Sequence, residues 1–570
     1  MTLRDKFEEF GPGFGVWTIE RMLRTCLILG FVGVAFGLYG WSQFRGFRDP
    51  EAMEYAQLAR RLSEGKGFTT QCVRPGELGY LSRAGRAPSK NDNVPDIRHT
   101  PLFPYLEAQG LRVVKPSFNV RPGMVFTPEK AVIVPLCALF ALGAGLFVFL
   151  AASRLFEPRV AVAATAVFFV TEAVPAGVFA GTPLTLRMFL CAASLYAAVV
   201  AVTNKREDTG LVRWIVPALL SAALCGLAAL SGYVTALALT AVLALFLATG
   251  LGRSGRFMAL AATLIVAAML APWLARNRQV SGGLLGVAPY AALDGDAVCQ
   301  GDTFDRCLQF DARRAPILRA IKAKLVAGIG GLHEDQLRAA GGGLLMTGFF
   351  LVSFFCRFER DEANRLRWCL LAGLGVVLAA AALGVGETGE NARIFLPFTV
   401  VFGTALFFAL MDNSGFVQIG WEGVLSGVMV ILCAAPTLAT ITTRRPGFPY
   451  PPYYPPFVSL VSGMLEPKEN LCTDIPWATA WYGNRFSVLL PRTIEDFQAI
   501  HRDRFPLSAL YLTTETTDRP YTSGLQEGTL RAWLPVINGA APADFPLRHG
   551  ITLPAGTREQ IFLADRVRWK

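Results

Sequence analysis

The feature that most constrains this chain is the blocking of its apolar residues. About eleven runs of roughly 16–24 predominantly apolar residues follow one another, and a helix of about 20 such residues crosses the hydrocarbon core of a bilayer. The runs lie at 22–43, 130–153, 159–179, 183–203, 212–231, 233–250, 256–275, 342–357, 367–385, 394–411 and 421–440. A polytopic α-helical membrane protein follows, with a large first outer loop and a small α/β domain after the last span. Of the 570 residues, 53% are hydrophobic and 17% charged, and the mean hydropathy is +0.41. An ordinary soluble domain carries roughly 25% charge. So few charges could not cover a globule of this size, which excludes a purely soluble, disordered or fibrous chain. The first run ends in Tyr39 and Trp41 with no small-x-small cleavage site after it. It reads as an uncleaved anchor rather than a signal peptide.

The net charge of +11 finds its first use in orientation. If the N-terminus is cytoplasmic, one side receives Arg154 and Arg159, then Lys205, Arg206 and Arg213, then Arg253 and Arg256, then Arg357, Arg360, Arg365 and Arg367. All the short basic loops then share the cytosolic face, as the positive-inside rule requires. The segments 44–129 and 276–341 and the region from about 441 face outward. No nucleic-acid-binding motif is present.

Residues 1–440 therefore form the membrane part. The Pro-rich stretch 441–457 is expected to be an extended, semi-rigid linker. Residues 458–570 form the outer domain, with strands at Phe486–Leu490, Ala509–Thr513 and Ile561–Trp569 and an amphipathic helix at Ile494–Phe505. Four cysteines lie outside the apolar runs: Cys72, Cys299, Cys307 and Cys472. An outer compartment permits disulfides; four cysteines allow three connectivities, and a Cys299–Cys307 bridge would close a short polar loop. No CxxC pair or His cluster suggests zinc.

The first outer loop carries the most chemistry. Asp49-Pro50-Glu51 follows the first span directly, and Ala52, Tyr55, Ala56, Leu58, Ala59 and Leu62 then share a helical face. Asp49 is placed as the N-cap, with Pro50 at the first helical position. A carboxylate fixed there is also preorganised to accept a proton, and Glu51 is a second carboxylate or a charge suited to the helix N-terminus. Arg98 and His99 precede the stiff segment Thr100-Pro101-Leu102-Phe103-Pro104, and read as a phosphate-binding corner or as snorkelling interface residues. Pro272-Trp273 with Arg276-Asn277 ends the seventh span, and Arg393 opens the tenth after Glu390 and Asn391. Glu172 falls inside the third span, where an intramembrane carboxylate is a functional hypothesis unless the boundary is displaced. In this topology Asp49, Arg98, His99, Arg276, Asn277 and Arg393 all meet the outer membrane surface. One acid with several cations at one interface suits a phosphate-linked substrate whose lipid tail stays in the bilayer.

Four features in this order resemble the GT-C glycosyltransferases, in particular the dolichyl-phosphate-mannose-protein mannosyltransferase and aminoarabinose-transferase-like bacterial branch. They are Asp49-Pro50-Glu51 with Tyr55, Ala59, Leu62, Gly65, Gly67 and Phe68; Arg98 to Pro104; Pro272-Trp273 with Arg276-Asn277; and Arg393-Ile394-Phe395-Leu396-Pro397. The resemblance covers about 20–440, and Pro476–Arg485 resembles the outer domain of some bacterial members. Two stretches depart from it. Thr182-Pro183-Leu184-Thr185 stands where members often carry a Glu, and Ser231-Gly232-Tyr233 follows Leu230 where a basic residue often stands.

The resemblance implies transfer of a sugar from a polyprenyl-phosphate donor to a hydroxyl acceptor at the outer face of the plasma membrane, with inversion. Asp49 would be the general base, with Glu51 beside it. Arg98, His99, Arg276, Asn277 and Arg393 would hold the donor phosphate and lipid, and Tyr55 and Glu390 would contact substrate. The expected partners are the lipid-linked donor, a lipid, glycan or protein acceptor, and membrane lipids, with no nucleic acid. No cofactor is expected; a divalent metal, used by some relatives, is not required by this reading. The alternatives are an inactive GT-C-like scaffold, a lipid-linked sugar transporter or flippase, and a lipid-linked glycan ligase.

Overall fold

In hydrocarbon each backbone N–H and C=O must find its partner within its own segment, so apolar runs of membrane-spanning length become helices. The computed structural model describes residues 30, 32–88, 94–291, 299, 302–309, 321–322, 324–326, 328, 342–384, 390–414, 421–443, 448, 450, 452–517, 525–554 and 559–569. Among the described residues, 8 helices are long and apolar enough to span: Glu129–Leu155, Leu184–Arg206, Leu211–Ala229, Tyr233–Gly250, Gly252–Ser281, Asp361–Ala382, Leu396–Ser414 and Glu422–Thr442. The third expected span is a pair, Pro158–Val170 and Ala173–Ala180, bent by 49°. Glu172 sits at that bend, where its Oε1 accepts a hydrogen bond from the Thr440 hydroxyl. The eighth is the shorter helix Leu344–Phe355, and the first is helical at 30 and 32–43, its start lying outside the described residues.

The spans differ in what they face. Leu184–Arg206 is 83% buried within the protein and Leu396–Ser414 72%, against 11% for Gly252–Ser281 and Glu422–Thr442. The first two are the interior posts and the last two face lipid. Ala192, Ala193, Ala197, Ala198 and Ala201 are buried along Leu184–Arg206. Such small residues let neighbouring helices approach closely, which drives packing where no hydrophobic effect operates between helices.

The outer domain is built on a sheet with strands β1 (Cys72–Val73), β2 (Asn470–Thr473), β3 (Ser487–Leu489), β4 (Leu507–Leu512), β5 (His549–Leu553) and β6 (Gln560–Ala564), in the order β1-β3-β2-β4-β6-β5. β1, β3, β2 and β4 run parallel, and β6 and β5 are antiparallel. Parallel neighbours need crossovers, which are the helices Pro476–Gly483 and Ile494–Asp503. Thr493 caps the second by accepting from the Asp496 N–H. β3, β4 and this helix fall within two residues of the segments expected from the sequence, whereas β6 ends at Ala564, short of the strand expected as far as Trp569. The sequence reading contains neither β2 nor β5, and it does not place β1 in this sheet. A two-residue strand leaves no alternation to read, yet Cys72 pairs with Ser487 and Val73 with Val488.

Two further contacts join the loop to the outer domain. Glu129, buried at the start of its span, accepts from Trp481 Nε1 at 2.9 Å, the Tyr482 hydroxyl at 2.7 Å and the Phe47 N–H at 3.2 Å. Tyr453 is buried and donates to the Phe47 carbonyl at 2.6 Å. The end of the expected extended linker is thus packed, and the helix Pro455–Gly463 begins within it. Its leading prolines suit the first turn of a helix, where the missing N–H costs no hydrogen bond. Cys299 and Cys307 are joined by a disulfide.

Candidate functional site

Asp49 accepts a hydrogen bond from the Glu51 N–H at 2.9 Å, and Pro50 follows it. This cap fixes the start of helix Pro50–Ser63, and with it the positions of Glu51, Glu54 and Tyr55. Residues at i, i+3 and i+4 share a face, and these three line one cavity of about 420 Å³. A second part of its wall comes from a turn shaped by Asp96. One carboxylate oxygen of Asp96 accepts from the N–H groups of Arg98 (3.1 Å) and His99 (2.8 Å), which turns both side chains onto the cavity. Arg74 follows β1 directly and reaches the cavity through its pairing with the outer domain. Phe304 and Asp305 come from the disulfide-closed segment. The spans complete the wall with Arg187, the Gly232–Val234 turn, Gly384 and Asn391.

The loop side is an ionic lattice. Arg74 pairs with Glu54, with Asp305 at 3.2 Å and with Glu77 at 3.5 Å. Arg98 pairs with Glu77 at 2.9 Å and with Asp305. His99 lies between Glu54 (Nε2, 3.1 Å) and Asp96 (Nδ1, 2.9 Å). Arg276 donates to the backbone carbonyls of Asp96 and Phe68 and stacks on Phe68 and Trp273. Burial of this kind is tolerated only when each charge is paired. Burial alone would lower the His99 pKa, but Asp96 and Glu54 on its two sides bring it up to about 10, so the ring is an imidazolium at neutral pH. Burial would raise Glu54, yet the Arg74 guanidinium and His99 hold it far below the ordinary carboxylate range. Asp96 is likewise held down against its burial by His99.

The span side is different. Arg187 stands one turn into Leu184–Arg206 and is 7% exposed. Its Nε donates to the Ser231 carbonyl at 2.9 Å. No carboxylate among the described residues pairs with it. Gly232 makes room for it, since a Cβ there would stand 3.1 Å from its Nε. Tyr233 also lines the cavity. Its hydroxyl oxygen accepts from Trp273 Nε1 at 3.0 Å and Asn277 Nδ2 at 3.1 Å, which leaves its own proton to donate.

Of the residues singled out from the sequence, Glu51, Tyr55, Arg98 and His99 line the cavity. Asp49 caps the helix and is not in the lining. Arg276 and Asn277 stand behind it, holding Asp96 and Tyr233. Arg393 is half-buried with its Nε unpartnered, and its neighbour Asn391 reaches the cavity instead. The Glu390 side chain lies outside the described residues. Glu54, Arg74, Asp305, Arg187 and Tyr233 were not foreseen. Arg187 had a readable signal: a charge inside an apolar run marks a functional candidate.

A carboxylate and a cation that have no ion-pair partner among the described residues, with a phenol donor around the same partly enclosed space, can accept a proton while holding an anion. Among the described residues no group of three or more His, Cys, Asp or Glu side chains is gathered as metal ligands.

No protein-family model and no curated protein matches the sequence. Solved structures do share the fold. ArnT from Cupriavidus metallidurans bound to undecaprenyl phosphate superposes with a TM-score of 0.56 at 11% identity, over 95% of this chain and 98% of that one. Its apo form gives 0.55 at 12% identity, with the same coverage. The oligosaccharyltransferase AglB from Archaeoglobus fulgidus, in complex with an inhibitory peptide and a dolichol-phosphate, gives 0.52 at 11% identity, over 87% of this chain and 70% of that one. The fold is therefore GT-C-like: a polytopic helical membrane part with a C-terminal α/β domain.

Proposed function

We propose that this chain is an integral membrane glycosyltransferase that moves a sugar from a polyprenyl-phosphate donor to a hydroxyl acceptor at the outer face of the membrane, with inversion. The observation that carries this reading is the single cavity that brings Glu51 and Arg187 together at the outer ends of the spans. The shared fold supports it, since one structure with that fold holds undecaprenyl phosphate and another a dolichol-phosphate. The basic short loops support an orientation with the N-terminus in the cytosol and the outer domain outside.

The acceptor oxygen attacks the anomeric carbon as the bond from that carbon to the phosphate oxygen breaks. The phosphate leaves with the electron pair and needs charge stabilisation more than a proton. The acceptor proton passes to a base. Of the two carboxylates at the helix start, Glu51 lines the cavity whereas Asp49 is engaged as the cap. We assign the base to Glu51, which supplies roughly 10²–10⁴ in rate. Tyr55 and Tyr233 offer hydroxyls to the sugar. The lattice of Arg74, Arg98 and His99 keeps the wall rigid and excludes water.

The test is transfer in proteoliposomes from a radiolabelled polyprenyl-phosphate sugar. The wild type should transfer label to a hydroxyl acceptor and Glu51→Gln should not. A wild type that cleaves no polyprenyl-phosphate sugar would end the proposal.

A further inference from the structure

We infer that Arg187 on the fourth span is the anion receptor of the cavity, and that the anion is the phosphate of a polyprenyl phosphate. This deepens the proposed function and rests on it. The residue departs from the sequence expectation, which assigned the phosphate to Arg98, His99, Arg276, Asn277 and Arg393.

Charge accounting around the cavity carries the inference. Arg74 and Arg98 share Glu54, Glu77 and Asp305, and His99 is held between Glu54 and Asp96. A phosphate placed on any of these would compete with carboxylates that already neutralise them. Arg276 spends both terminal nitrogens on the Asp96 and Phe68 carbonyls and on Asn277. Among the described residues Arg187 bonds to the Ser231 carbonyl alone, through its Nε. That bond orients the guanidinium and leaves both terminal nitrogens to form the fork that matches a phosphate.

Position selects the lipid-linked form. Arg187 lies near the N-terminal end of a helix long and apolar enough to span the membrane, and it is nine-tenths buried. A buried cation with no ion-pair partner among the described residues is costly until an anion arrives. The Gly232 turn is the device that accommodates it, because any side chain there would press on the guanidinium. The Ser231-Gly232 turn is thus open to, and bonded to, a cation from the neighbouring span.

The experiment uses the purified full chain in detergent and undecaprenyl phosphate as the probe, with binding read by native mass spectrometry and by the rise in apparent Tm. Inorganic phosphate and phosphatidylglycerol are run alongside. Arg187→Met should weaken undecaprenyl phosphate binding roughly 10- to 100-fold, the loss expected for charge-assisted bonds, and Arg187→Lys should restore part of it. Gly232→Ala keeps the charge but displaces the guanidinium by a few tenths of an ångström, so it should weaken binding to a smaller degree even if Arg187→Met folds poorly. Wild-type affinity retained in both Arg187→Met and Gly232→Ala overturns the assignment while leaving the glycosyltransferase reading intact. Equal protection by inorganic phosphate or phosphatidylglycerol overturns the lipid-linked ligand. A wild type that binds no polyprenyl phosphate overturns both this inference and the function beneath it.

Discussion

On the loop side of the cavity each arginine and histidine that lines it meets a carboxylate; on the span side Arg187 meets one carbonyl. The loop is chain between spans with short secondary structure, and its wall is fastened by ion pairs, a disulfide and a strand lent to the C-terminal domain's sheet. The span wall is fastened by helix packing and can spare a cation for a ligand. The contrast separates side chains tied up in building the wall from those that line it without an ion pair: on the loop side, Glu51 and Tyr55 belong to the second group.

The sharpest way to break this contrast is to exchange the two carboxylates at the helix start. Glu51→Gln should lower transfer by roughly 10²–10⁴, while Asp49→Asn, an equally good cap, should keep most of it. The reverse result in a proteoliposome assay would move the base to Asp49. Next in size, Arg74→Met leaves the buried Glu54 with His99 as its remaining partner and Asp305 with Arg98. It should cost about 3–5 kcal/mol of stability, read as a large fall in apparent Tm. Arg187→Met should disturb Tm far less than it disturbs ligand binding, and equal effects in the two assays would erase the distinction between the walls.

The lattice also has a pH signature. His99 titrates near 10 in the folded protein against 6.5 for the free side chain. Its protonation therefore stabilises the fold fully below about pH 6.5. That stability declines as pH rises through the window and is gone above about pH 10. Apparent Tm should fall across that range, and His99→Gln should flatten the curve; an unchanged slope would mean that the ring is not held as a cation. The smallest effect belongs to the cap. Asp49→Ala should cost about 1 kcal/mol, visible in denaturation without loss of the chemical step.

Much of the fold was legible because it is local. Run length, flanking Trp and Tyr and the placement of Lys and Arg fix spans one at a time, and the amphipathic helix Ile494–Asp503 and strands β3, β4 and β6 carry their period in a few residues. The site was legible only in part. Glu51, Tyr55, Arg98 and His99 were found because they sit in short motifs. Arg74 was not, since its place depends on a two-residue strand pairing with Ser487 and Val488, a contact too short and too distant along the chain to leave a pattern.

Run lengths read along the chain already imply many bilayer crossings with acids and cations near their ends, because a backbone in hydrocarbon must satisfy its hydrogen bonds within each segment. Which of those charges cancel one another is set by the folded arrangement. Compensation depends on distances of a few ångströms between residues such as Arg98 and Asp305, and neither composition nor period records which acid arrives beside which cation.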